Sequence, residues 1–287
     1  MEVIAAGITD VGLKREGNED SFSTEDSLGL YVVADGMGGH LAGEVASQVA
    51  VEMINKSFRN WIEKDILQDQ LFGPADDTLS LHGNYILSSI KLANRVVYEL
   101  AMNYEQYHGM GTTVAAIHVT PSRVIVANVG DSRIYLVRDG SIEQLSRDHT
   151  IVSEQIDMGV MTVEEAESSP LKHILTRNLG SSEEVEPDVY EVVPSHNDKF
   201  ILCSDGLTDL VNDDEILEMT QKSDDPGELC RRFVEKVLKR GAHDNTTIIS
   251  VFLKDLKQKK EGPTRKLGGV FADGVIGIQK FIRKFKP

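Results

Sequence analysis

The sequence contains little cysteine. Among 287 residues only Cys203 and Cys230 are cysteines. Cys203 lies in an apolar run typical of a buried strand, and Cys230 lies on the apolar face of a predicted helix. This placement does not favour a disulfide framework and indicates two reduced thiols in the core of a cytoplasmic protein.

Long hydrophobic runs are also absent. No stretch of 18 consecutive apolar residues occurs, so no transmembrane helix is expected. Residues 1–7 resemble a short strand rather than a basic segment followed by an apolar run, so we expect no signal peptide. The length allows one large domain or two smaller ones with a full core.

Positive charge is scarce, with 30 Lys and Arg against 46 Asp and Glu. The net charge of −16 argues against nucleic acid as the main partner. Residues 254–287 nevertheless contain ten basic and three acidic residues, a net charge of +7, so residues 1–253 carry −23. The sequence therefore predicts an acidic domain over 1–253 and a basic tail over 254–287.

Several common catalytic and nucleotide-binding motifs are missing. There is no Walker-type Gly-Lys-Ser/Thr, no Gly-x-Ser-x-Gly and no His-Glu-x-x-His. The glycine-rich turn 36–39 fits a dinucleotide fingerprint poorly. Leu41 stands where that motif requires Gly or Ala, and Asp35 ends the strand before it.

What the sequence does contain is four apolar runs, each bordered by an aspartate. The four aspartates are Asp35, Asp131, Asp205 and Asp244. A single aspartate beside a strand is usually a turn residue. If these strands pair, however, their ends converge, and clustered carboxylates repel one another unless cations neutralise them. Oxygen ligands with few His or Cys nearby favour Mg²⁺ or Mn²⁺ over zinc.

A further polar stretch, 15–20, precedes a strand and offers Arg15 and the acids Glu19 and Asp20. A guanidinium is suited to bidentate recognition of phosphate.

The order of predicted elements is α+β, with antiparallel strands and helix pairs between them rather than strict βαβ alternation. Residues 147–180 depart from this pattern, because they are polar, short-helical and broken by Gly159 and Pro170. We interpret them as an inserted flap. The predicted helices cover 41–58, 85–102, 213–220 and 226–239. The predicted strands cover 2–9, 30–35, 112–119, 123–129, 133–138, 142–145, 188–193, 199–204 and 246–253.

Six motifs together resemble the metal-dependent protein phosphatases of type 2C (the PPM family), and in particular their bacterial serine/threonine members. They occur in the family's order and span nearly all of residues 1–253. They are Arg15-Glu16-Gly17-Asn18-Glu19-Asp20, Val33-Ala34-Asp35-Gly36-Met37-Gly38-Gly39, Gly109-Met110-Gly111-Thr112-Thr113, Asn128-Val129-Gly130-Asp131-Ser132-Arg133, Ser204-Asp205-Gly206-Leu207-Thr208-Asp209 and Asp244-Asn245-Thr246-Thr247.

The resemblance implies a four-layer α/β/β/α sandwich, in which two antiparallel sheets stack and a helix pair covers each outer side. It implies a protein-serine/threonine phosphatase that hydrolyses phosphomonoesters by direct attack of a metal-bridging water, with two Mn²⁺ or Mg²⁺ ions. The expected partners are phosphorylated Ser/Thr proteins, among them a Ser/Thr kinase and its substrates. We expect a cytoplasmic monomer.

The resemblance also assigns roles to residues. Asp35 would bridge the two ions, the Gly36 carbonyl would bind the second ion, and Asp205 and Asp244 would complete the shell of the first. Arg15 would bind the phosphate oxygens of the substrate.

Four further acids would act around the ions. Glu19 and Asp20 would orient metal-bound waters. Asp131, with Asp205 and with Asp209 beside them, matches the third-metal site of bacterial members.

One departure leaves the proton donor open. Met37 stands where animal-type members carry the histidine that is the usual candidate for protonating the leaving alkoxide, and Met cannot do so. His40, a metal-bound water, or no dedicated acid are the alternatives. The remaining histidines that we considered are interpreted as surface or core residues: His118, His173, His196 and His243.

Two other functions and the role of the tail stay open at this stage. A non-catalytic phosphoprotein-binding module on the same fold is disfavoured by the intact aspartates, and a metal-dependent nuclease is disfavoured by the acidic domain. Residues 254–266 are a predicted linker. Residues 267–287 alternate apolar and basic positions at helical spacing, which fits a helix docked on the acidic domain, a peripheral membrane anchor or a partner-docking helix.

Overall fold

The computed structural model describes residues 1–39 and 41–254. Within them the helices are α1 (Leu41–Glu63), α2 (Leu81–Asn103), α3 (Ile151–Asp157), α4 (Val163–Glu167), α5 (Asp205–Thr208), α6 (Asp213–Gln221) and α7 (Pro226–Lys239). The strands are β1 (Glu2–Asp10), β2 (Asp20–Glu25), β3 (Leu30–Met37), β4 (Gly111–Thr112), β5 (Val114–Val119), β6 (Val124–Val129), β7 (Arg133–Arg138), β8 (Ser141–Gln144), β9 (Asp188–Val192), β10 (Lys199–Cys203) and β11 (Thr246–Lys254).

The strands form two antiparallel sheets. One sheet has the order β1-β11-β10-β7-β8, and the other has the order β2-β3-β5-β6-β9, with β4 paired to β3. Apolar side chains such as Val33, Ile117 and Leu202 fill one continuous core cluster contributed by strands of both sheets. Strands β5, β6 and β11 are buried on both faces. Their sequences are therefore nearly continuous apolar runs rather than alternating apolar and polar residues.

Helices cover the outer face of each sheet. Helices α1 and α2 bury residues such as Ala46 and Ile90 in a cluster with one sheet, and α6 and α7 bury Ile216 and Phe233 in a cluster with the other. The predicted four-layer sandwich with two antiparallel sheets is therefore confirmed.

The topology brings the predicted acids to one end of the sandwich. In the β2–β3 pair, Asp20 lies directly opposite Asp35. Strands β10 and β11 are antiparallel neighbours, so the chain leaving β10 at Asp205 lies beside the chain entering β11 at Asp244. The Ser204 hydroxyl donates a hydrogen bond to Asp20 Oδ2 at 2.8 Å, which connects the ends of the two sheets.

Several predicted bounds were wrong. The predicted helix at 85–102 begins at Leu81, because the Ser80 side chain caps it by accepting from the Gly83 N–H. The predicted helix at 41–58 continues to Glu63, and buried Trp61 extends its apolar side. No bounds were predicted for β2, the strand expected after the 15–20 stretch, because its polar sequence contains one large apolar residue, Phe22, and lies at a sheet edge.

No helix in the described ranges is both long and apolar enough to cross a membrane. Within 147–180, the segment interpreted as a flap, the chain forms α3 and α4 joined by turns. The predicted linker and amphipathic tail lie outside the described residues after Lys254.

A glycine sets the distance between two of the acidic turns. At Gly206, just after β10, a Cβ atom would lie 2.0 Å from the backbone oxygen of Asn245, just before β11. Backbone cannot move aside as a flexible side chain can. Only a residue without a side chain therefore lets Asp205 and Asp244 approach this closely.

We predict that Gly206→Ala lowers the free energy of unfolding by about 1–3 kcal/mol, because the added methyl group overpacks against backbone. Urea unfolding followed by circular dichroism measures the change. Gly17→Ala is the matched control, since its Cβ would meet no atom within 4 Å, and it should change stability by less than about 0.5 kcal/mol. Equal stability of the two variants would contradict the close approach.

Candidate active site

Asp35 is fixed at the end of β3 by its backbone. Its N–H donates to Thr113 Oγ1 at 2.9 Å, and its carbonyl oxygen accepts from the Thr113 N–H at 2.9 Å and from Thr112 Oγ1 at 2.8 Å. Because these bonds use only the backbone of Asp35, its carboxylate can face the neighbouring acids. The two threonines of the 109–113 motif therefore position the central acid of the site.

The environment of Asp35 opposes its ionisation. Burial raises the pKa of Asp35 well above its ordinary value, and the negative charges of Asp20, Asp205, Asp131 and Asp244 raise it further. All four neighbours are residues that the sequence singled out. The structure therefore brings the four strand-end aspartates together with Asp20.

Asp20 is the most buried of these acids, with 7% of its surface exposed. Burial raises the pKa of Asp20 to about 7, although the hydrogen bond from the Ser204 hydroxyl partly offsets the effect. A carboxyl group held in this way is costly to ionise unless a cation accompanies it.

Asp131 and Asp205 lie on the other side of the cluster. Burial raises the pKa of Asp131 to about 7, and the charges of Asp205 and Asp148 add to this effect. The Oδ1 atoms of Asp205 and of Asp20 are buried and have no hydrogen-bond partner among residues 1–39 and 41–254. Buried polar atoms are normally paired, so two orphaned carboxylate oxygens in one cluster indicate that a bound group completes the site.

Arg15 lies at the rim of the cluster. Its Nη2 donates to Asp244 Oδ2 at 2.7 Å, and half of its side chain is exposed. This hydrogen bond is the main cause of the raised pKa of Arg15, and the charges of Glu19 and Asp35 contribute. The pairing places a guanidinium beside the acids and open to solvent.

Asn245 attaches the 15–20 loop to β11. Its Oδ1 accepts from the Glu19 N–H at 2.9 Å, and its Nδ2 donates to the carbonyls of Gly17 and Val11, each at 3.0 Å. The asparagine of the Asp244-Asn245 motif therefore holds both Arg15 and Glu19 in place.

Glu19 sits against helix α1. Its carbonyl accepts from the Gly36 N–H at 3.1 Å. Its Oε2 lies only 1.8 Å from where a Cβ of Gly43 would be. A side chain at Gly43 would thus displace the carboxylate, which explains the glycine in the first turns of the helix.

Asp209 is surrounded by basic side chains. Lys172 Nζ lies 3.2 Å from Asp209 Oδ1, and His243 Nε2 lies 3.1 Å from Asp209 Oδ2. His173 contacts Asp205 through Nδ1 at 3.5 Å and Asp209 through Nε2 at 3.6 Å. Asp209 therefore anchors the segment that carries Lys172 and His173.

His173 is the site residue that sequence reasoning missed. Its ligand nitrogen and one carboxylate oxygen each from Asp131 and Asp205 lie within 4.8 Å of one another. The hydrogen bond to Asp205 raises the pKa of His173, and the charge of Asp209 adds to this. No motif surrounds His173, so only the folded position of the flap reveals it.

Two residues bear on the missing proton donor. Met37 ends β3 opposite Gly111, partly buried, and its thioether has no proton to give. His40, the alternative donor, lies outside the described residues.

The donor set suits a hard divalent cation. Carboxylate oxygens dominate the cluster, they are held close together against their repulsion, and two of them are orphaned. Oxygen-rich sites of this kind favour Mg²⁺ and Mn²⁺. The residues present therefore fit the divalent ions that the sequence implied.

Comparison with known proteins agrees with this chemistry. The family model for protein phosphatase 2C matches residues 14–250. The serine/threonine phosphatase stp of Listeria monocytogenes is 36% identical over 254 residues, covering 88% of this chain and 96% of the relative.

Solved structures agree as well. The serine/threonine phosphatase PstP/Ppp of Mycobacterium tuberculosis superposes with a TM-score of 0.76 at 33% identity, covering 88% of this chain and 99% of that chain. The catalytic domain of PstP in complex with 2 manganese ions superposes with a TM-score of 0.74 at 34% identity, with the same coverage of both chains. The family match spans most of the chain, and the chain therefore belongs to the protein phosphatase 2C family.

Proposed function

We propose that this protein is a divalent-metal-dependent phosphatase that removes phosphate from serine and threonine side chains of phosphoproteins. The observation that carries the proposal is the convergence of Asp20, Asp35, Asp131, Asp205 and Asp244 at one end of the sandwich. The relatives reported above are serine/threonine phosphatases, which supports the same reaction here.

Named residues would hold the ions. Asp35 and the Gly36 carbonyl, together with Asp205 and Asp244, would bind two Mn²⁺ or Mg²⁺ ions, and Asp131 with Asp205 would bind a third. When bound, such ions supply Lewis acidity, which activates water and offsets the charge of a phosphoryl group. Glu19 and Asp20 would orient water around the site, Glu19 from its place against α1 and Asp20 from its place opposite Asp35 on the neighbouring strand.

Arg15 would bind the phosphate of the substrate. It is the basic residue of the 15–20 loop that matches the family motif, it lies beside Asp244, and it is open to solvent. A phosphate monoester carries a charge of about −1.5 to −2 near neutral pH. The planar guanidinium can hold two of its oxygens and fix the orientation for attack on phosphorus.

The flap, 147–180, would contribute to substrate choice. It reaches the site through Lys172 and His173, and it exposes apolar side chains such as Met158 and Val160. The physiological substrates would be phosphorylated proteins of the cytoplasm, among them a Ser/Thr kinase and the targets of that kinase. We propose that the enzyme acts as a monomer.

A non-catalytic phosphoprotein-binding module on the same fold is the alternative. Such a module needs no cluster of buried acids beneath its binding surface, because phosphate recognition by itself is served by cationic groups and N–H donors. The intact acids therefore favour catalysis.

We predict that release of phosphate from a phosphothreonine peptide requires Mn²⁺ or Mg²⁺. EDTA should abolish turnover, and excess Mn²⁺ should restore it, because the acids cannot be ionised side by side without cations. A malachite green assay measures the phosphate. Turnover that survives chelation would contradict the proposal.

The matched variant for this test is Asp35→Asn, which keeps the shape of the side chain. It should lose turnover by about 100-fold or more, because an interaction with the reacting centre is removed, while its far-ultraviolet circular dichroism stays that of the wild type. A well-folded variant with undiminished turnover would exclude the role given to Asp35.

A second prediction concerns Arg15. We expect Arg15→Ala to raise the KM for a phosphopeptide about 10-fold, because one charge-assisted contact to phosphate is lost, while Mn²⁺ affinity stays nearly unchanged. Arg15→Lys should recover part of the loss. Steady-state kinetics and isothermal titration with Mn²⁺ measure the two quantities. A variant that loses Mn²⁺ binding but keeps the wild-type KM would show that Arg15 serves the metal site instead.

A further inference from the structure

We propose that His149 is a positioning residue for the phosphatase reaction, and that it acts through one hydrogen bond between its ring atom Nδ1 and the backbone N–H of Gly130. The inference rests on the proposed function, because its main effect is on turnover. His149 is not one of the acids of the site, and it acts on them only through the backbone that holds them.

His149 is joined to the turn 130–132, between β6 and β7, by two hydrogen bonds in opposite directions. Its backbone N–H donates to the Gly130 carbonyl at 3.0 Å, and the Gly130 N–H donates to its Nδ1 atom at 3.1 Å. Only 1% of the surface of His149 is exposed. The contact is therefore shielded from solvent, and loss of the ring would leave a buried backbone donor unpaired.

The contact with Gly130 fixes which ring nitrogen carries the proton. Nδ1 accepts a hydrogen bond, so it carries no proton, and the proton of the ring is on Nε2. Nε2 lies 3.2 Å from Asp188 Oδ2 on β9. Burial raises the pKa of Asp188, but the contacts of His149 and Arg177 outweigh burial and lower this pKa below its ordinary value. An ionised carboxylate thus faces Nε2 and keeps Nδ1 directed at Gly130.

The turn 130–132 carries one acid of the site and packs against the residue that positions another. Asp131 directly follows Gly130. Gly130 has a φ of +99°, and a Cβ atom there would lie 2.6 Å from Thr113 Cγ2. Ser132 Oγ lies 2.6 Å from Thr113 Oγ1. The turn therefore contacts Thr113 through both a backbone and a hydroxyl group.

Thr113 connects the turn to Asp35. The Asp35 N–H donates to Thr113 Oγ1, and the Asp35 carbonyl accepts from the Thr113 N–H, each at 2.9 Å. A displacement of the turn would displace Thr113 and with it the backbone of the central acid. A misplacement of about 1 Å in a reacting site can cost roughly 100-fold in rate.

Variants at the ring should fold, because the backbone of residue 149 makes contacts of its own. The His149 N–H donates to the Gly130 carbonyl, and the His149 carbonyl accepts from the Thr176 N–H at 2.8 Å. Asn128 Nδ2 also donates to the Gly130 carbonyl, at 3.2 Å. None of these bonds uses the imidazole ring. A change at the ring therefore removes the Nδ1 contact and leaves the course of the chain in place.

Two substitutions separate the two ring nitrogens. In His149→Asn the side-chain oxygen takes the place of Nδ1 and can accept from the Gly130 N–H, but the side chain no longer reaches Asp188. In His149→Gln the terminal amide takes the place of Nε2 and still reaches Asp188, but the Gly130 N–H loses its acceptor.

Steady-state kinetics with a phosphothreonine peptide in saturating Mn²⁺ tests the proposal on the full 287-residue chain. We expect His149→Gln to lower kcat about 10-fold or more, with KM changed less than about twofold because the substrate contact of Arg15 is untouched. His149→Asn should keep kcat within about threefold of the wild type.

His118→Gln is the matched control for a purely structural effect. Only 3% of the surface of His118 is exposed, but His118 lies on β5 opposite Leu30, at the start of β3 and five residues before Asp35. This variant should lower the Tm and leave kcat unchanged. Circular dichroism measures the fold and the Tm of all three variants.

Backbone amide signals in a ¹H–¹⁵N nuclear magnetic resonance spectrum of the metal-free protein give a measurement without turnover. In His149→Gln the signals of Gly130, Thr113 and Asp35 should all move from their wild-type positions. In His149→Asn the signals of Thr113 and Asp35 should stay at those positions, because the acceptor for the Gly130 N–H is kept.

A loss of kcat in His149→Gln, with His149→Asn close to the wild type, supports the proposal. Equal kcat of these two variants, a larger loss in His149→Asn, or an Asp35 signal that stays in place in His149→Gln would overturn it. A wild type without phosphatase activity, whose Asp35 signal moves in His149→Gln alone, would refute the proposed function and leave the positioning contact standing.

Discussion

The central constraint on this structure is that the fold holds several mutually repelling carboxylates close together. Asp20 and Asp35 face each other across neighbouring strands, and the charges of Asp205, Asp131 and Asp244 reach the same place. Burial removes the water that would otherwise screen these charges. The folded chain therefore carries an unfavourable electrostatic energy at this end of the sandwich, which divalent cations would relieve.

The surrounding polar residues oppose that repulsion. The Ser204 hydroxyl donates to Asp20 and accepts from the Thr247 N–H at 2.9 Å, which joins β10, β11 and the start of β2. The Thr113 hydroxyl lies 2.6 Å from the Ser132 hydroxyl, beside Asp131. These bonds are made by backbone and buried hydroxyl groups. A movement of one loop therefore cannot increase the distance between the acids.

Much of this arrangement could be predicted from the sequence. Aspartates that border buried apolar runs lie at strand ends, and the strand ends of a sandwich meet. The positions of Asp35, Asp205 and Asp244 can therefore be predicted from the apolar runs in the sequence and the polar residues that border them. The pairing of Asp20 with Asp35 could not be predicted, because β2 is a polar edge strand without a clear alternation. Its register depends on tertiary contacts.

The role of His173 could not be predicted from the sequence for a different reason. The flap that carries it has no periodic apolar pattern, and its course is set by tertiary contacts such as the ion pair of Lys172 with Asp209, 37 residues later in the chain. A lone histidine in such a segment resembles any surface histidine. The chemistry of this position comes from the fold and not from a motif.

The most direct test of the central claim is the thermal unfolding of the wild type and of Asp20→Asn at pH 8, in EDTA and in saturating Mn²⁺. Asp20 has a pKa of about 7 and is then largely ionised, so removing its charge should relieve repulsion in the metal-free protein. We expect Asp20→Asn in EDTA to unfold about 3 °C or more above the wild type, and we expect Mn²⁺ to raise the Tm of the wild type by more than that of the variant. A metal-free variant that unfolds below the wild type, with an equal rise in Mn²⁺, would contradict the account.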